Sequence, residues 1–269
     1  MDGADPAAAL TALLALMTRL RDPQSGCPWD RVQDFASIAP YTIEEAYEVR
    51  DAIERSDPGK LCEELGDLLF QVVFHARLAE ERDWFDFAAV AVGIHAKLVR
   101  RHPHVFAGAA APAVAAEQSR QWEEHKARER AQTLGDAAAL ADVPLSLPAL
   151  MRAAKLGRRA ARVGFDWERA DQVRDKVGEE LAELDAALAA TGGKAHPEVI
   201  EELGDLLFTL ANWSIHLAID PEEALRMANA KFERRFECME RLAAERGMVL
   251  ATLTSAQWDG LWREAKQQV

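Results

Sequence analysis

The chain contains one acidic pattern twice, and the two copies lie about 135 residues apart. In each copy an E-E-x-x-E run is followed by an E-E-L-G-D-L-L-F run, at 44–48 and 63–70 in the first copy and at 179–183 and 201–208 in the second. Acidic residues at positions i and i+3 lie on one face of an α-helix. Because their like charges repel, a fold that gathers them requires a cation nearby. The pattern therefore predicts a duplicated helical unit with a metal site in at least one copy.

Apolar residues recur at helical spacing through most of the chain, for example from Leu10 to Leu20 and from Leu61 to Val73. No stretch reads as a strand, so we predict an all-α protein. Pro40 and Thr42 predict the start of the second helix. Helices are expected near 7–21, 41–55, 60–82 and 86–101 in the first half, and near 147–162, 170–190, 197–218, 221–246 and 254–267 in the second.

The repeat extends beyond the acidic runs. Each copy begins with a helix and a turn that contains Trp and Asp, continues with the two acidic helices, and ends with a basic helix. The basic pairs, spaced i and i+4, are Lys97 with Arg101 and Lys231 with Arg235. We predict two tandem helical domains, 1–107 and 147–269, joined by a linker at 108–146 that carries some helix around 117–132.

Composition limits the partners and the compartment. The chain has 45 acidic and 32 basic residues and a net charge of −13, which argues against general binding to nucleic acid or to anionic membranes. The three cysteines form no C-x-x-C pair, the N-terminus is acidic where a signal peptide would be basic, and the apolar stretches are too short to span a bilayer. We predict a cytoplasmic protein with neither a nucleic-acid nor a membrane partner.

The second copy gives the clearest prediction of a metal site. A short glycine-containing loop between the acidic helices favours an antiparallel pair, and Gly204 predicts a close approach of a neighbouring helix. Four carboxylates without histidine suit Mg²⁺, or Mn²⁺ in its place, and not Zn²⁺ or copper. A di-iron bundle is disfavoured because none of the seven histidines has a glutamate three residues before it. The expected ligands are Glu180, Glu183, Glu202 and Asp205.

The basic pair that follows the acidic helices indicates a phosphate-bearing substrate. Protein-bound Mg²⁺ usually holds a few carboxylates, waters and substrate phosphates, which suits hydrolysis of a phosphoanhydride. Lys231 and Arg235 would stabilise the leaving group, since no G-x-x-x-x-G-K loop is present to hold phosphates. The expected catalytic residues are Glu180, Glu183, Lys231 and Arg235. The first copy offers a second possible site with the same inventory: Glu45, Glu48, Glu64, Asp67, Lys97 and Arg101.

Several longer segments resemble a known family more specifically than the carboxylate spacing does. They are GCPWD at 26–30, IAPYTIEE at 38–45, ELGDLLFQVVF at 64–74, RHPHVF at 101–106, VGFDW at 163–167 and KFERRF at 231–236. Together they resemble the MazG family of nucleoside triphosphate pyrophosphohydrolases over nearly the whole chain.

The resemblance implies two MazG-type domains in a homodimer, whose chains together complete four-helix units. It implies Mg²⁺-dependent hydrolysis of nucleoside triphosphates, ribo and deoxy and including non-standard ones, to the monophosphate and pyrophosphate, as housekeeping of the nucleotide pool. It also implies that the C-terminal domain carries the activity. The nucleotide-binding residues that it implies are Lys176, Glu179, Lys231, Arg235, Trp262 and Lys266.

Two alternatives remain open at this point. One is a non-catalytic acidic helical dimer that senses nucleotide or binds a partner. The other is a pyrophosphatase with a narrower substrate, such as dUTP or a modified nucleotide.

Overall fold

The computed structural model describes residues 5–108, 114 and 139–269. Every regular element within these ranges is helical, which confirms the all-α prediction. The chain divides into two compact units, 1–126 and 127–269. The predicted linker helix around 117–132 lies outside the described residues, so the linker boundaries stay a prediction.

The first unit is built on the packing of three longer helices. Its elements are α1 (Pro6–Leu20), α2 (Pro28–Val32), α3 (Phe35–Glu54), α4 (Pro58–Glu80), α5 (Phe87–Arg101) and α6 (Pro103–Phe106). Asp5, Asp57 and Asp86 cap the N-termini of α1, α4 and α5 by accepting hydrogen bonds from backbone amides. The main core cluster lies between α1, α3 and α4 and contains Met17, Ile38, Val73, Phe74 and Leu78.

The predicted start of α3 was wrong. The helix begins at Phe35, because Asp34 and Ser37 form a reciprocal capping box ahead of it. Pro40 therefore lies inside the helix instead of at its start. Pro40 is the sixth residue of the helix. It lies beyond the first turn, so the helix lacks the hydrogen bond that a backbone N–H at this position would donate.

The second unit repeats the paired acidic helices. Its elements are α7 (Ala149–Ala161), α8 (Ala170–Thr191), α9 (Pro197–His216), α10 (Pro221–Glu245) and α11 (Ser255–Gln268), with a short 3₁₀ turn at Leu250–Thr252. Gly192 ends α8 in the left-handed region at φ +67°, which allows the short turn into α9. A separate core between α10 and α11 contains Cys238, Met239, Leu242, Ala243, Leu261 and Ala265.

Apolar side chains remain exposed on the acidic helices of both units. Leu65 on α4 is 50% exposed, and Leu207 on α9 is 47% exposed. The expectation that Gly204 meets a close neighbour within this chain was wrong, because a Cβ built there meets no described atom within 4 Å. Gly66, at the equivalent place in the first copy, also faces open space among the described residues. Among the described residues of each unit, both apolar helix faces thus stay partly exposed.

Two further sequence observations can be compared with the structure. Cys27, Cys62 and Cys238 are free thiols. Within the described residues, none of the helices combines the length and the apolar character that crossing a bilayer requires.

Candidate active site

The second acidic cluster forms where α8 packs against α9. Glu180 and Glu183 lie one turn apart on α8, and Glu202 lies on α9. One carboxylate oxygen from each of the three lies within 4.8 Å of the other two. The structure therefore brings together three of the four predicted ligands of this copy.

Glu180 is the buried member of this cluster, at 6% exposure. Lys176, one turn before it on α8, places its Nζ 2.8 Å from Glu180 and 2.7 Å from Glu179. The same ammonium lies 3.9 Å from Glu183. Hydrogen bonds to Glu179 and Glu180 raise the pKa of Lys176 far above its ordinary value. The lysine thus supplies positive charge at the position where the carboxylates converge.

The lysine does not neutralise the whole cluster. Burial raises the pKa of Glu202, and the charges of Glu183, Asp205 and Glu180 raise it further. Asp205, the fourth predicted ligand, lies outside the group of three but is close enough to act on Glu202. A site that raises the pKa of a carboxyl through its acidic neighbours favours a bound cation. The all-oxygen donor set fits a hard divalent ion.

The first copy gathers the equivalent carboxylates. Glu45 and Glu48 on α3 and Glu64 on α4 place one oxygen each within 4.8 Å of one another. Burial raises the pKa of Glu45, as do the charges of Asp67 and Glu48 and a hydrogen bond with Glu48. Asp67 lies outside the group of three, as Asp205 does in the second copy. By its carboxylates alone, the first copy also fits a divalent ion.

The two clusters differ in which helix carries the lysine. In the first copy Lys60 on α4 lies 2.5 Å from Glu64, the buried carboxylate of that cluster. In the second copy Lys176 lies on the other acidic helix, and its register equivalent in the first copy is Tyr41. Sequence reasoning missed Lys60, although the i, i+4 spacing of Lys60 and Glu64 was visible as a signal. The two copies therefore share the acidic pattern but differ in the helix that carries the lysine next to the buried glutamate.

The predicted basic and aromatic residues of the second copy meet between α10 and α11. The guanidinium of Arg235 lies 5.7 Å from the ring centre of Trp262, and the ammonium of Lys266 lies 5.8 Å from it. Phe232 also packs against this ring, at 5.8 Å between centroids. Among the residues that the structure describes, neither Lys231 nor Arg235 forms an ion pair. The structure thus gathers Arg235, Trp262 and Lys266, and places no salt bridge between them and the acidic cluster.

The corresponding basic residues of the first copy lie on α5. Lys97 is exposed and Arg101 is half-buried near the end of this helix. α5 packs against α4, which carries Glu64 and Asp67. Within the described part of the chain Lys97 makes no salt bridge to the first acidic cluster.

Comparison with known proteins adds evidence that is independent of this geometry. Residues 33–106 match the model of the MazG nucleotide pyrophosphohydrolase domain. Residues 148–232 match that of phosphoribosyl-ATP pyrophosphohydrolase. Each match covers the two acidic helices of one unit.

Curated relatives match nearly the full chain. The chain is 50% identical to the nucleoside triphosphate pyrophosphohydrolase of Escherichia coli (strain K12), over 95% of this chain and 96% of the relative. It is 41% identical to the nucleoside triphosphate pyrophosphohydrolase/pyrophosphatase MazG of Thermotoga maritima, over 94% of each chain. A nucleoside triphosphate pyrophosphohydrolase of Mycobacterium tuberculosis is 30% identical over 95% of this chain and 69% of its own length. On this similarity, with two helical units that each carry a carboxylate cluster, the chain belongs to the MazG family of nucleoside triphosphate pyrophosphohydrolases.

Proposed function

We propose that the second unit hydrolyses nucleoside triphosphates to the monophosphate and pyrophosphate in the presence of Mg²⁺, with Mn²⁺ as a substitute. The observation that carries this proposal is the convergence of Glu180, Glu183 and Glu202, with oxygens within 4.8 Å of one another and Lys176 beside Glu180. Both family matches are to enzymes named as pyrophosphohydrolases, which supports attack at the phosphoanhydride bond that releases pyrophosphate.

The carboxylates of the second acidic cluster differ in exposure and would have different roles. Glu180, Glu183, Glu202 and Asp205 would hold the divalent ion through hard oxygen ligands. Such an ion neutralises phosphate charge and lowers the pKa of a bound water. Glu183 has a side chain that is 48% exposed, which leaves it free to orient the attacking water or accept its proton.

Positive side chains of the second unit would bind the phosphates. The ammonium of Lys176 lies at hydrogen-bond distance from Glu179 and Glu180, and the lysine side chain is 31% exposed, so it can turn towards a phosphate. Lys231 and Arg235 make no ion pair among the described residues, and their charges are thus available to a triphosphate. Trp262 and Lys266 lie beside Arg235, which supports their predicted contact with the nucleotide.

The exposed apolar faces of the acidic helices support a homodimer. Leu203, Leu207 and Phe208 expose apolar surface on α9, as Leu65 and Leu69 do on α4. Gly204 and Gly66 keep these faces open to a close approach, because a Cβ at either position would meet no described atom within 4 Å. A second copy of the chain that packs there would complete the four-helix units.

The test measures pyrophosphate release from a panel of ribo-, deoxy- and modified triphosphates, with Mg²⁺ and with a chelator. We expect release with Mg²⁺, little with the chelator, and a loss of at least about 100-fold in Glu180→Gln. Glu237→Gln, the same change at an exposed position on α10, serves as the control and should match the wild type. Absence of pyrophosphate across the whole panel would contradict the proposal and favour the non-catalytic alternative.

A further inference from the structure

Gln71 on α4 carries a buried acceptor that the fold leaves unmatched. The residue is 6% exposed, and its Oε1 makes no hydrogen bond among the residues that the structure describes. A buried acceptor without a donor costs free energy unless a ligand or a water pairs with it. The register equivalent in the second copy is Thr209, which is also buried but carries no amide. The two copies thus differ at a buried polar position beside their acidic patterns.

The position of Gln71 directs its amide towards the first acidic cluster, which Glu45, Glu48 and Glu64 form. Gln71 lies four residues after Asp67 and seven after Glu64, and therefore on the same face of α4. Helical side chains lean towards the N-terminus of their helix, so the Gln71 amide lies over the turn that carries Asp67. Asp67 in turn is close enough for its charge to act on Glu45.

Contacts across the two helices place Gln71 at the same level. Thr42 Oγ1 lies 3.0 Å from His75 Nε2, one turn beyond Gln71. In the other direction, oxygens of Glu45 and Glu64 lie within 4.8 Å of each other. Because α3 and α4 run antiparallel, Gln71 lies between these two contacts. Its neighbours on the cluster side are carboxylates, which accept hydrogen bonds when ionised and cannot donate one to Oε1.

The first acidic cluster also carries more negative charge than the chain neutralises. Lys60 places its ammonium 2.5 Å from Glu64. Within the described ranges of the chain, Glu45, Glu48 and Asp67 form no ion pair. A bound cation would meet two needs at once, because it would offset the repulsion between the carboxylates and give the buried amide oxygen a positive partner.

The donor set of the first unit favours a larger ion than Mg²⁺. Mg²⁺ keeps several waters and is usually bound by a few carboxylates together with substrate phosphates, whereas Ca²⁺ takes about six to eight oxygens, amide carbonyls among them. In the second unit the basic and aromatic residues that suit phosphates lie on α10 and α11. In the described part of the first unit, α5 is followed by the short helix α6, and α11 has no counterpart there. An ion in the first unit thus depends on oxygens of the protein itself.

We propose that the first unit binds Ca²⁺, or a divalent ion of similar size and coordination, through the carboxylates of the first acidic cluster and Oε1 of Gln71. The ion connects α3 to α4 and has a structural role, in contrast to the catalytic ion proposed for the second unit. Thr209 offers no amide oxygen, so the second acidic cluster lacks this ligand. The inference does not rest on the proposed function, because it concerns the other unit and its test needs no nucleotide.

The test measures Ca²⁺ and Mg²⁺ binding by calorimetry and by thermal melting of the full chain. All proteins carry Glu180→Gln, so that the second acidic cluster lacks its buried ligand. Ca²⁺ should bind about tenfold or more tightly than Mg²⁺. Glu48→Gln should weaken Ca²⁺ binding by about tenfold or more, whereas Thr209→Val, the control at the register equivalent of Gln71, should leave it unchanged.

Gln71→Met separates an ion ligand from a structural amide, because methionine has a similar shape without the acceptor. The metal-free variant should melt at or above the temperature of its parent, since it no longer buries an unmatched oxygen, while its Kd for Ca²⁺ should rise by about tenfold. A lower metal-free melting temperature, with a Ca²⁺ affinity within about twofold of the parent, would show that the amide is structural and would overturn the proposal. Tighter binding of Mg²⁺ than of Ca²⁺ by the parent would overturn it as well.

A second variant keeps the test decisive if Gln71→Met does not fold. Gln71→Glu adds a negative charge to the cluster, so it should lower the metal-free melting temperature and enlarge the rise that Ca²⁺ produces. An unchanged rise would contradict the proposal. In the chain with native Glu180, Gln71→Met should release pyrophosphate at the wild-type rate with Mg²⁺, because the ion of the first unit does not touch the substrate. Absence of release in the wild type would refute the proposed function and leave the Ca²⁺ result standing.

Discussion

Glu180→Gln should separate the stability of the second acidic cluster from its metal binding. In the absence of metal, the Glu180 carboxylate has one attraction, to Lys176 Nζ at 2.8 Å, and two repulsions, from Glu183 and Glu202 at no more than 4.8 Å. Coulomb energy falls as the inverse of distance, so two repulsions at 4.8 Å nearly cancel one attraction at 2.8 Å. The neutral amide has almost the same size and can still hydrogen-bond. We therefore expect the metal-free variant to melt close to the wild type.

The two proteins should diverge when Mg²⁺ is added. A ligand at 100 times its Kd stabilises the folded state by about 2.7 kcal/mol. For a unit of this size that corresponds to a rise in melting temperature of roughly 5–10 °C. The variant lacks a central buried ligand and should show little of this rise in differential scanning calorimetry, while Glu237→Gln should show all of it. An equal rise in Glu180→Gln and the wild type would refute the assignment of the ion to this cluster.

Three further predictions concern the ion pairs and the exposed helix face. Glu81 is partly buried, which raises its pKa, but hydrogen bonds from Arg21 and Arg77 outweigh burial and hold the pKa below its ordinary value. Glu81→Gln should therefore destabilise the first unit at pH 7, by about 1–2 kcal/mol after solvent screening. The difference in melting temperature should shrink as the pH falls below the ordinary glutamate pKa and through the lowered pKa of the folded carboxyl, where the wild-type side chain takes up its proton. A difference that stays the same down to the lowest pH at which both proteins fold would show that the effect is not ionic. Lys176→Gln should lower kcat/KM by roughly 10- to 100-fold while the Mg²⁺-induced rise in melting temperature persists, and loss of that rise would place the lysine in metal binding instead. Leu207→Asp should convert a dimer to a monomer in sedimentation analysis, whereas Val249→Asp, on the 3₁₀ turn side of the second unit, should not, and a dimer in both would move the interface elsewhere.

The helical architecture could be predicted because it depends on local patterns. Carboxylate spacing and apolar stripes located the paired acidic helices, and the observed bounds of α4 and α9 differ from the predicted ones by at most two residues at either end. The start of α3 could not be placed as well. Pro40 predicted a helix start close to itself. The capping box of Asp34 and Ser37 instead starts the helix six residues before the predicted position.

The candidate site was harder to predict because it depends on which groups meet across helices. Sequence alone paired Glu180 with Glu202, yet it gave no distances and found the same inventory of carboxylates and basic residues in both copies. The lysine lies on α4 in the first copy and on α8 in the second. This difference could be recognised only from the structure, which shows that Glu64 and Glu180, the partners of the two lysines, are the buried carboxylates.

The most direct test of the central claim compares the two duplicated clusters under one assay. Mg²⁺-dependent pyrophosphate release should be measured for Glu180→Gln and for Glu45→Gln, its register equivalent in the first copy, with melting curves to verify that both fold. We expect that Glu180→Gln loses nearly all turnover and that Glu45→Gln keeps most of it. Loss of turnover in Glu45→Gln, with activity retained in Glu180→Gln, would contradict the claim that the second unit is the catalytic one.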